Sequence, residues 1–299
     1  MKIVFMGTPE YAVKILAALA GKHEILAVFT QPDKPAGRKN ILTPPAVKSY
    51  ALSNLNSVPI FQPSTLKGGA AAREIAVLKP DFIVVAAYGQ ILPKEILDIA
   101  PCINLHASVL PKYRGASPIQ EAILAGEDYT GVTAMQMGEG LDDGDMLAFC
   151  VSNLKGKAAP EVFDELGDMA AALALKTLAN YDKIAPVAQI HAAATKCKKI
   201  KKEHGLVKFE MSAEQIERKF LAYKDWPSVH LESGTKLLEL EVSNLNGEPG
   251  EILEAGGALV VACGDKAIAI KTLQDPGKKP LAAREYINGK RLKVGDKFC

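Results

Sequence analysis

The amino-acid sequence predicts an α/β fold, an open parallel sheet with helices on both faces, followed by a small β-barrel. Three observations support this prediction. Over the first 180 residues, short apolar runs alternate with stretches of helical periodicity, as expected when strands and helices follow one another around a parallel sheet. A lysine-rich stretch without acidic residues then interrupts the pattern. Beyond it, short apolar runs are separated by glycine-containing turns, which favours a barrel.

The elements of the first part follow from these patterns. Short apolar runs predict strands over residues 2–6, 24–30, 59–61, 81–88, 102–106, 131–137 and 146–151. Helical spacing of apolar residues predicts helices over 9–20, 45–55, 70–78, 117–124 and 161–181. Thr8 and Pro9 are expected as N-cap and first residue of the first helix, because proline loses no hydrogen bond there. The first turn lacks the GxGxxG pattern, which argues against a dinucleotide site.

The domain boundaries are predicted from changes in composition. We expect a catalytic domain over residues 1–184, a basic linker over 185–204 and a C-terminal domain over 205–299. The C-terminal domain would begin with one helix, Ser212–Tyr223, before the short strands. Residues 195–299 carry a net charge of +4, against −2 for residues 1–194. A polyanionic partner would therefore be attracted to the C-terminal third.

The compartment is predicted from two further features. The N-terminus lacks the long apolar stretch of a secretory signal, and the apolar runs are far shorter than the ~20 residues needed to cross a bilayer. We therefore expect a cytoplasmic protein with no membrane partner. The five cysteines form no CxxC pair and are odd in number. This pattern is typical of reduced thiols and argues against a disulfide framework or a zinc site.

The candidate catalytic residues lie at the end of a predicted strand and in a later loop. Because side chains alternate along a strand, Asn104 and His106 share one face. Ligands bind at the carboxyl ends of strands in open α/β sheets, so two polar residues there suggest a site. Asp142 lies in an acidic, glycine-rich loop, and near His106 its carboxylate would favour the imidazolium. Together the three side chains could stabilise an oxyanion and move a proton.

Structural explanations for these residues remain open at this point. His106 could be a hydrogen-bonded core histidine, and Asp142 could lie in a solvated turn. A calcium loop is less favoured, because the full EF-hand pattern is missing.

Several motifs resemble those of the 10-formyltetrahydrofolate-dependent formyltransferases, and most closely those acting on methionyl-tRNA. Three segments of this chain resemble the catalytic signature of that family, namely Asn104-x-His106, the Ser108–Pro111 loop and Leu141-Asp142-Asp143-Gly144. Further matching segments lie at both ends of the chain, namely Phe5–Pro9, Thr30–Arg38, Ala87–Pro93, Arg114–Gln120, Lys196–Glu203 and Trp226-Pro227. The resemblance spans nearly the whole chain.

This resemblance implies a Rossmann-like formyltransferase domain, a linker and an OB-like C-terminal domain that binds tRNA. It implies transfer of the formyl group of 10-formyltetrahydrofolate, without a metal, to the α-amino group of methionine on initiator tRNA. Asn104, His106 and Asp142 would be catalytic. The folate contacts would be Ser108, Val109, Leu110, Pro111, Tyr88 and Gly89. The tRNA contacts would be Arg38, Lys39, Lys196, Lys198, Lys199, Lys201 and Lys202. We expect a monomer.

Three alternatives remain. A formyltransferase for a small amine, such as an amino sugar or a purine precursor, would share Asn104, His106 and Asp142 but would not need the lysine-rich linker. An RNA-binding protein with a vestigial transferase domain is a second alternative, which the intact set of three argues against. The lysines themselves could form no more than a solvated tether.

Overall fold

A computed structural model describes residues 1–37 and 40–298 of the chain. The chain divides into two compact units, each built from three segments. The first unit comprises Met1–Pro118, Tyr129–Asn153 and Phe163–Lys198. The second comprises Ile119–Asp128, Leu154–Val162 and Lys199–Cys299. The domain boundaries given above from composition stay a prediction.

The predicted strands and helices of the first part occur in the predicted order, and the described residues also form four short strands and one short helix that the sequence does not predict. The strands are β1 (Lys2–Gly7), β2 (Glu24–Phe29), β3 (Lys34–Ala36), β4 (Ile41–Thr43), β5 (Ile60–Phe61), β6 (Phe82–Ala86), β7 (Cys102–His106), β8 (Arg114–Gly115), β9 (Tyr129–Gln136), β10 (Met146–Asn153) and β11 (Lys196–Cys197). The α-helices are α1 (Glu10–Ala20), α2 (Ala46–Asn54), α3 (Ala70–Leu78), α4 (Lys94–Leu97), α5 (Pro118–Ala125) and α6 (Ala159–Ala179). Short 3₁₀ turns follow at Tyr181–Lys183, His191–Ala193 and Lys202–Gly205.

Seven strands of the first unit form one sheet, in the order β10-β9-β7-β6-β1-β2-β5. The five strands from β7 to β5 are parallel, and β6 and β7 are buried along their whole length. Such strands are apolar because helices or loops cover both faces of a parallel sheet. β9 runs antiparallel to β7, and β10 runs antiparallel to β9. The sheet is therefore mixed rather than wholly parallel, since the apolar pattern of a strand does not record its direction.

The start of the first helix differs from the prediction. The N-cap is Pro9 rather than Thr8, and the helix begins at Glu10. The Thr8 hydroxyl instead donates a hydrogen bond to the carbonyl oxygen of Tyr88, 3.1 Å away. Thr8 therefore joins the ends of β1 and β6 and does not cap the helix.

The second unit contains an antiparallel sheet and two helices that follow Lys199. The elements are α7 (Ala213–Ala222), β12 (Lys236–Ser243), β13 (Ile252–Ala255), β14 (Leu259–Ala262), β15 (Ala267–Gln274), β16 (Leu281–Ala282) and α8 (Ala283–Lys290). The strands pair in the order β12-β15-β14-β13, with β16 also paired to β15. α7 begins with a capping box in which Ser212 and Gln215 exchange hydrogen bonds. The predicted fold class, an α/β domain with a Rossmann-like parallel sheet followed by a small OB-like β-barrel domain, is confirmed as a mixed, largely parallel Rossmann-like sheet followed by a C-terminal domain with antiparallel strands.

One charged group of the second unit is nearly buried. The side chain of Asp275 is 11% exposed, and its Oδ1 accepts hydrogen bonds from the hydroxyl groups of Tyr286 and Thr235. The ammonium groups of Lys278 and Lys290 lie 3.1 and 3.3 Å from its Oδ2. Burial opposes ionisation, but the hydrogen bonds from Tyr286, Lys278, Thr235 and Lys290 lower the pKa of Asp275 well below its usual range. Asp275 is therefore held as a carboxylate.

Candidate active site

The carboxyl end of β7 carries the first two candidate residues. Asn104 and His106 are 7% and 6% exposed. They alternate with the buried apolar residues Ile103 and Leu105, as the strand pattern predicts. The buried hydroxyl of Tyr11, on α1, donates to the carbonyl oxygen of Leu105 and so ties this strand to the helix. The strand therefore holds both polar side chains on one face, at the edge of the sheet where ligands bind.

The loop between β9 and β10 brings Asp142 to these two residues. The Asn104 amide donates to Asp142 Oδ1 at 3.3 Å, and His106 Nδ1 lies 3.7 Å from Asp142 Oδ2. The Asp142 side chain is 13% exposed. Its backbone has φ +50°, a left-handed conformation that is uncommon for a residue with a side chain. The structure thus places the three predicted catalytic residues together, and their catalytic role stays a prediction.

The orientation of the His106 ring follows from its other nitrogen. Nε2 lies 2.9 Å from the carbonyl oxygen of Tyr113. A carbonyl can only accept, so Nε2 must carry a hydrogen and donate it. Nδ1 then faces the Asp142 carboxylate and is the nitrogen that can give or take a proton. A bond to one ring nitrogen commonly sets the function of the other in this way.

The segment 113–115, which runs from a turn at Tyr113 into β8, contacts two of the three candidate catalytic side chains. Tyr113 accepts from His106, and the Gly115 N–H donates to Asp142 Oδ2 at 2.9 Å. Gly115 has φ +122°, and a Cβ there would lie 2.2 Å from the carbonyl oxygen of Cys197. Cys197 belongs to β11, which pairs in parallel with β8. Only glycine fits at position 115, because both the conformation and the space exclude a side chain.

Part of the predicted linker contacts this site. Cys197 is 6% exposed, and its sulfur accepts from the Ser117 N–H. Gln189 is 4% exposed and donates to the carbonyl oxygens of Asp142 and Gly144 at 3.0 and 2.7 Å. Sequence reasoning missed both residues, because nothing in a glutamine or cysteine 47 or more residues from Asp142 indicates such a contact. Arg114, whose Nε donates to Gln189 Oε1 at 2.9 Å, was noted only as part of a motif.

The residues predicted to contact folate lie in two loops at the same edge of the sheet. Ser108 is fully buried, and its hydroxyl donates to the carbonyl oxygen of Lys112 at 2.6 Å. Thr133 of β9 donates to the Ser108 carbonyl oxygen and accepts from the Leu110 N–H. These bonds fix the loop Ser108–Pro111, in which Val109 and Pro111 are half-buried. The Ser108 hydroxyl is engaged within the loop, so a ligand would meet the loop's other groups.

The second predicted folate loop contains Tyr88 and Gly89. The Tyr88 ring is buried in the core, and burial raises the pKa of its hydroxyl to about 12. Its carbonyl oxygen accepts from Thr8 and from the Gln31 amide. Gly89 is exposed and has φ +87°. A ligand could approach the Gly89 backbone but would not meet the Tyr88 ring.

The residues predicted to contact tRNA are only partly described. Arg38 and Lys39 lie outside the described residues. The five lysines Lys196, Lys198, Lys199, Lys201 and Lys202 are all exposed, and Lys201 lies 3.5 Å from the Glu203 carboxylate. Exposure is necessary for contact with a polyanion but does not establish it.

The base of the β3–β4 hairpin, which leads into the undescribed residues, is well anchored. The Lys48 ammonium lies 2.8 and 2.7 Å from the two carboxylate oxygens of Asp33. The Gln62 amide donates to Asp33 Oδ1 at 2.7 Å and to the carbonyl oxygen of Gln31. Hydrogen bonds from Gln62 and Lys48 lower the pKa of Asp33. These bonds fix the segment that enters β3 to the helix that follows β4, so the base of the hairpin is held in place.

The described ranges show neither a metal-binding cluster nor a membrane-spanning helix. Residues 1–37 and 40–298 contain no cluster of three or more His, Cys, Asp or Glu side chains arranged to hold a metal ion. No helix in those ranges combines the length and the apolar character needed to cross a bilayer. The four cysteines described, Cys102, Cys150, Cys197 and Cys263, are free thiols.

Comparison with known proteins identifies the family. Residues 1–155 match the model of the family described as formyl transferase, and residues 199–291 match that of the formyl transferase C-terminal domain. This chain belongs to the formyl transferase family. It is 59% identical over 301 aligned residues to the methionyl-tRNA formyltransferase of Campylobacter curvus (strain 525.92), covering 100% of both chains. The resemblance inferred from the motifs, and the prediction of a formyltransferase, are confirmed.

Solved structures share the fold at low sequence identity. HypX from Aquifex aeolicus, solved in complex with tetrahydrofolic acid, is 18% identical with a TM-score of 0.66. The match covers 98% of this formyl transferase, which spans 48% of the HypX chain. Methionyl-tRNA formyltransferase from Clostridium thermocellum is 19% identical with a TM-score of 0.56, covering 82% of this chain and 94% of that one. At these identities the likeness concerns the fold alone.

Proposed function

We propose that this enzyme transfers the formyl group of 10-formyltetrahydrofolate to the α-amino group of methionine on initiator methionyl-tRNA. The observation that carries the proposal is the cluster of Asn104, His106 and Asp142 at the carboxyl end of β7. It occurs in a chain 59% identical over its full length to a methionyl-tRNA formyltransferase. The products would be formylmethionyl-tRNA and tetrahydrofolate, and the reaction would serve translation initiation in the cytoplasm.

The first step is attack of the neutral amine on the formyl carbon. An α-amino group has a pKa near ~8, so a useful fraction is neutral at pH 7. Attack forms the new C–N bond and turns the carbonyl oxygen into an oxyanion. The Asn104 amide has two N–H groups and can donate one to the oxyanion. In other enzymes a donor of this kind lowers the activation free energy by about 3–4 kcal/mol. His106 can add a second hydrogen bond through Nδ1 when that nitrogen is protonated.

The second step breaks the bond between the formyl carbon and N10 of the folate. The attacking nitrogen loses one proton and N10 gains one, so the reaction needs a proton carrier. Asp142 and His106 Nδ1, 3.7 Å apart, can pass this proton between them. The Tyr113 carbonyl keeps the other ring nitrogen protonated throughout. No atom needs to be oxidised or reduced.

The co-substrates are assigned by their chemistry. The folate would bind against the loops Ser108–Pro111 and Tyr88-Gly89, beside the catalytic cluster. The complex of HypX with tetrahydrofolic acid supports this class of formyl donor. The exposed lysines Lys196, Lys198, Lys199, Lys201 and Lys202, with Arg38 and Lys39, would contact the phosphates of the tRNA. We expect the protein to act as a monomer and without a metal.

The test is a formylation assay with purified protein, 10-formyltetrahydrofolate and methionine-charged initiator tRNA. We expect the formyl group on the tRNA-bound methionine, and little reaction with free methionine. An amino-sugar nucleotide and a purine-precursor amine are assayed in parallel. Formylation of either small amine, with none on charged tRNA, would reject the proposal and favour the alternative acceptor class.

Variants test the catalytic cluster. Asn104→Ala, His106→Ala and Asp142→Ala should each reduce kcat at least ~100-fold, the scale of losing an oxyanion donor or an acid–base partner. Affinity for tRNA should change little. His23→Ala is the control for the loss of a histidine, because His23 lies just before the amino end of β2, whereas the cluster lies at the carboxyl end of β7, and this variant should behave as wild type. Near-normal kcat in any one of the three would remove that residue from the mechanism.

A further inference from the structure

The catalytic loop holds Asp142 in a conformation that needs support. Asp142 has φ +50°, in the left-handed region that residues with side chains rarely adopt. Such a conformation persists only where the surrounding contacts determine it. The carboxylate itself is fixed by Asn104 and by the Gly115 N–H. Those two bonds hold the side chain, whereas the backbone of the loop is tied to β9 further along, where the Asp145 carbonyl oxygen accepts from the Gln136 N–H at 2.8 Å.

We propose that Gln189 is a positioning residue that fixes the backbone of the catalytic loop and thereby the Asp142 carboxylate. Its amide nitrogen donates to the carbonyl oxygens of Asp142 and Gly144, at 3.0 and 2.7 Å. One planar group thus bridges two carbonyls on either side of Asp143. Gln189 is 4% exposed, so water competes little for these bonds. It also lies outside both ranges matched by the family models.

The oxygen of the same amide ties Gln189 to the other half of the site. Gln189 Oε1 accepts from Arg114 Nε at 2.9 Å, and Arg114 Nη1 lies 3.2 Å from His191 Nδ1. Arg114 stands between Tyr113, which accepts from His106, and Gly115, which donates to Asp142. Gln189 therefore connects the loop that carries Asp142 with the turn that orients His106. Its amide nitrogen donates twice and its amide oxygen accepts once in this role.

The expected effect is on the chemical step. Proton transfer between Asp142, His106 and the substrate depends on their separation, and a displacement of about 1 Å can cost ~100-fold in rate. Gln189 contacts neither co-substrate in this scheme, so it acts through the Asp142 carboxylate. The inference rests on the proposed function, because it assumes that Asp142 takes part in formyl transfer.

Gln189→Glu is the first test variant. It keeps the size and the oxygen facing Arg114 but places an acceptor against the two loop carbonyls. We expect kcat to fall by about 10–100-fold, with KM for both co-substrates within about threefold of wild type. Gln189→Met, which removes all three bonds at similar size, should show the same split. Ile190→Ala is the matched control, since Ile190 is adjacent and 70% exposed, and it should retain wild-type kinetics.

A double-variant cycle separates positioning from a general structural role. In an Asp142→Asn background the rate no longer depends on the carboxylate, so adding Gln189→Glu should cost less than about twofold. A loss in that background as large as in wild type would overturn the proposal. Wild-type kcat in both single variants would also overturn the proposal. Failure of both variants to fold would overturn it too, because a residue that supports only one loop is not needed for the fold.

The two proposals fail in different ways. If wild type formylates only a small amine, the proposed acceptor is wrong and the cycle is run with that amine. If wild type formylates charged tRNA and the Gln189 variants match it, only the positioning role is wrong. If wild type transfers no formyl group to any acceptor, both proposals fall.

Discussion

Gly115→Ala is expected to damage stability and catalysis together. The added Cβ would lie 2.2 Å from the Cys197 carbonyl oxygen and 3.2 Å from its carbon, both backbone atoms that cannot rotate away. Overpacking of this kind costs ~1–3 kcal/mol. The backbone at φ +122° adds strain of ~1–3 kcal/mol once a side chain is present. The free energy of unfolding should therefore fall by about 2–6 kcal/mol, lowering Tm by roughly 5–15 °C.

The same substitution should slow the reaction in the molecules that remain folded. Relief of the overlap moves β8 away from β11, and the Gly115 N–H then leaves Asp142 Oδ2, which it contacts at 2.9 Å. Loss of this donor should reduce kcat by about 10–100-fold. Thermal unfolding and formyl transfer at 25 °C measure the two effects on one preparation.

Two glycine controls separate the causes. Gly156 has φ +73° and no atom within 4 Å of an added Cβ, so Gly156→Ala tests strain without overlap. Gly256 has open space and no positive φ, so Gly256→Ala should be neutral. A Gly115→Ala protein with wild-type Tm and kcat would refute the reasoning. A Gly156→Ala protein as unstable as Gly115→Ala would show that overlap with Cys197 is unimportant.

Two further predictions concern charge. The first variant replaces five lysines by alanine, namely Lys196, Lys198, Lys199, Lys201 and Lys202. If three of them contact phosphate, the slope of log binding constant against log salt concentration should become less steep by about 2–3, and KM for tRNA should rise more than kcat falls. An unchanged slope would mean that this lysine-rich segment is only a solvated tether. Because the pKa of Asp275 is lower in the folded chain than in the unfolded one, its contribution to stability is present above pH ~4 and lost as the pH falls below that value. Asp275→Asn should therefore lower the free energy of unfolding by about 2 kcal/mol at pH 7 and by much less near pH 2, as measured by urea denaturation; an equal loss at both pH values would contradict this.

The elements that local patterns specify were predicted well. Helical spacing predicts α3 at the residues where it occurs, 70–78, and the apolar alternation around Asn104 and His106 predicts β7 at 102–106. Strand alternation also predicts that the two polar side chains share a face. Polar side chains at the carboxyl end of an apolar strand form a pattern contained within five neighbouring residues, so this pattern can be recognised from the sequence alone.

Features that depend on contacts distant in sequence were not predicted. The antiparallel direction of β9 depends on the path of the chain between strands, which the apolar pattern does not contain. The Thr8 hydroxyl has a helix-capping position in the sequence but bonds to Tyr88, 80 residues away. The bridge from Gln189 to the catalytic loop spans 47 residues, within a stretch whose composition resembles a linker. Local reasoning assigns such a residue to the surface because glutamine is polar and is mostly exposed in folded proteins.

The pairing of β8 with β11 has a consequence for the nascent chain. All three proposed catalytic side chains belong to the first 142 residues, yet Gln189 and the strand that packs against Gly115 come later, ending at Cys197. A polypeptide emerging from the ribosome can therefore form its sheet before its active site has all its supports. A fragment ending at residue 155, although it spans the whole match to the first family model, would carry the reactive groups without the residues that align them. We therefore expect the ability to react to be acquired late in synthesis, when β11 pairs with β8.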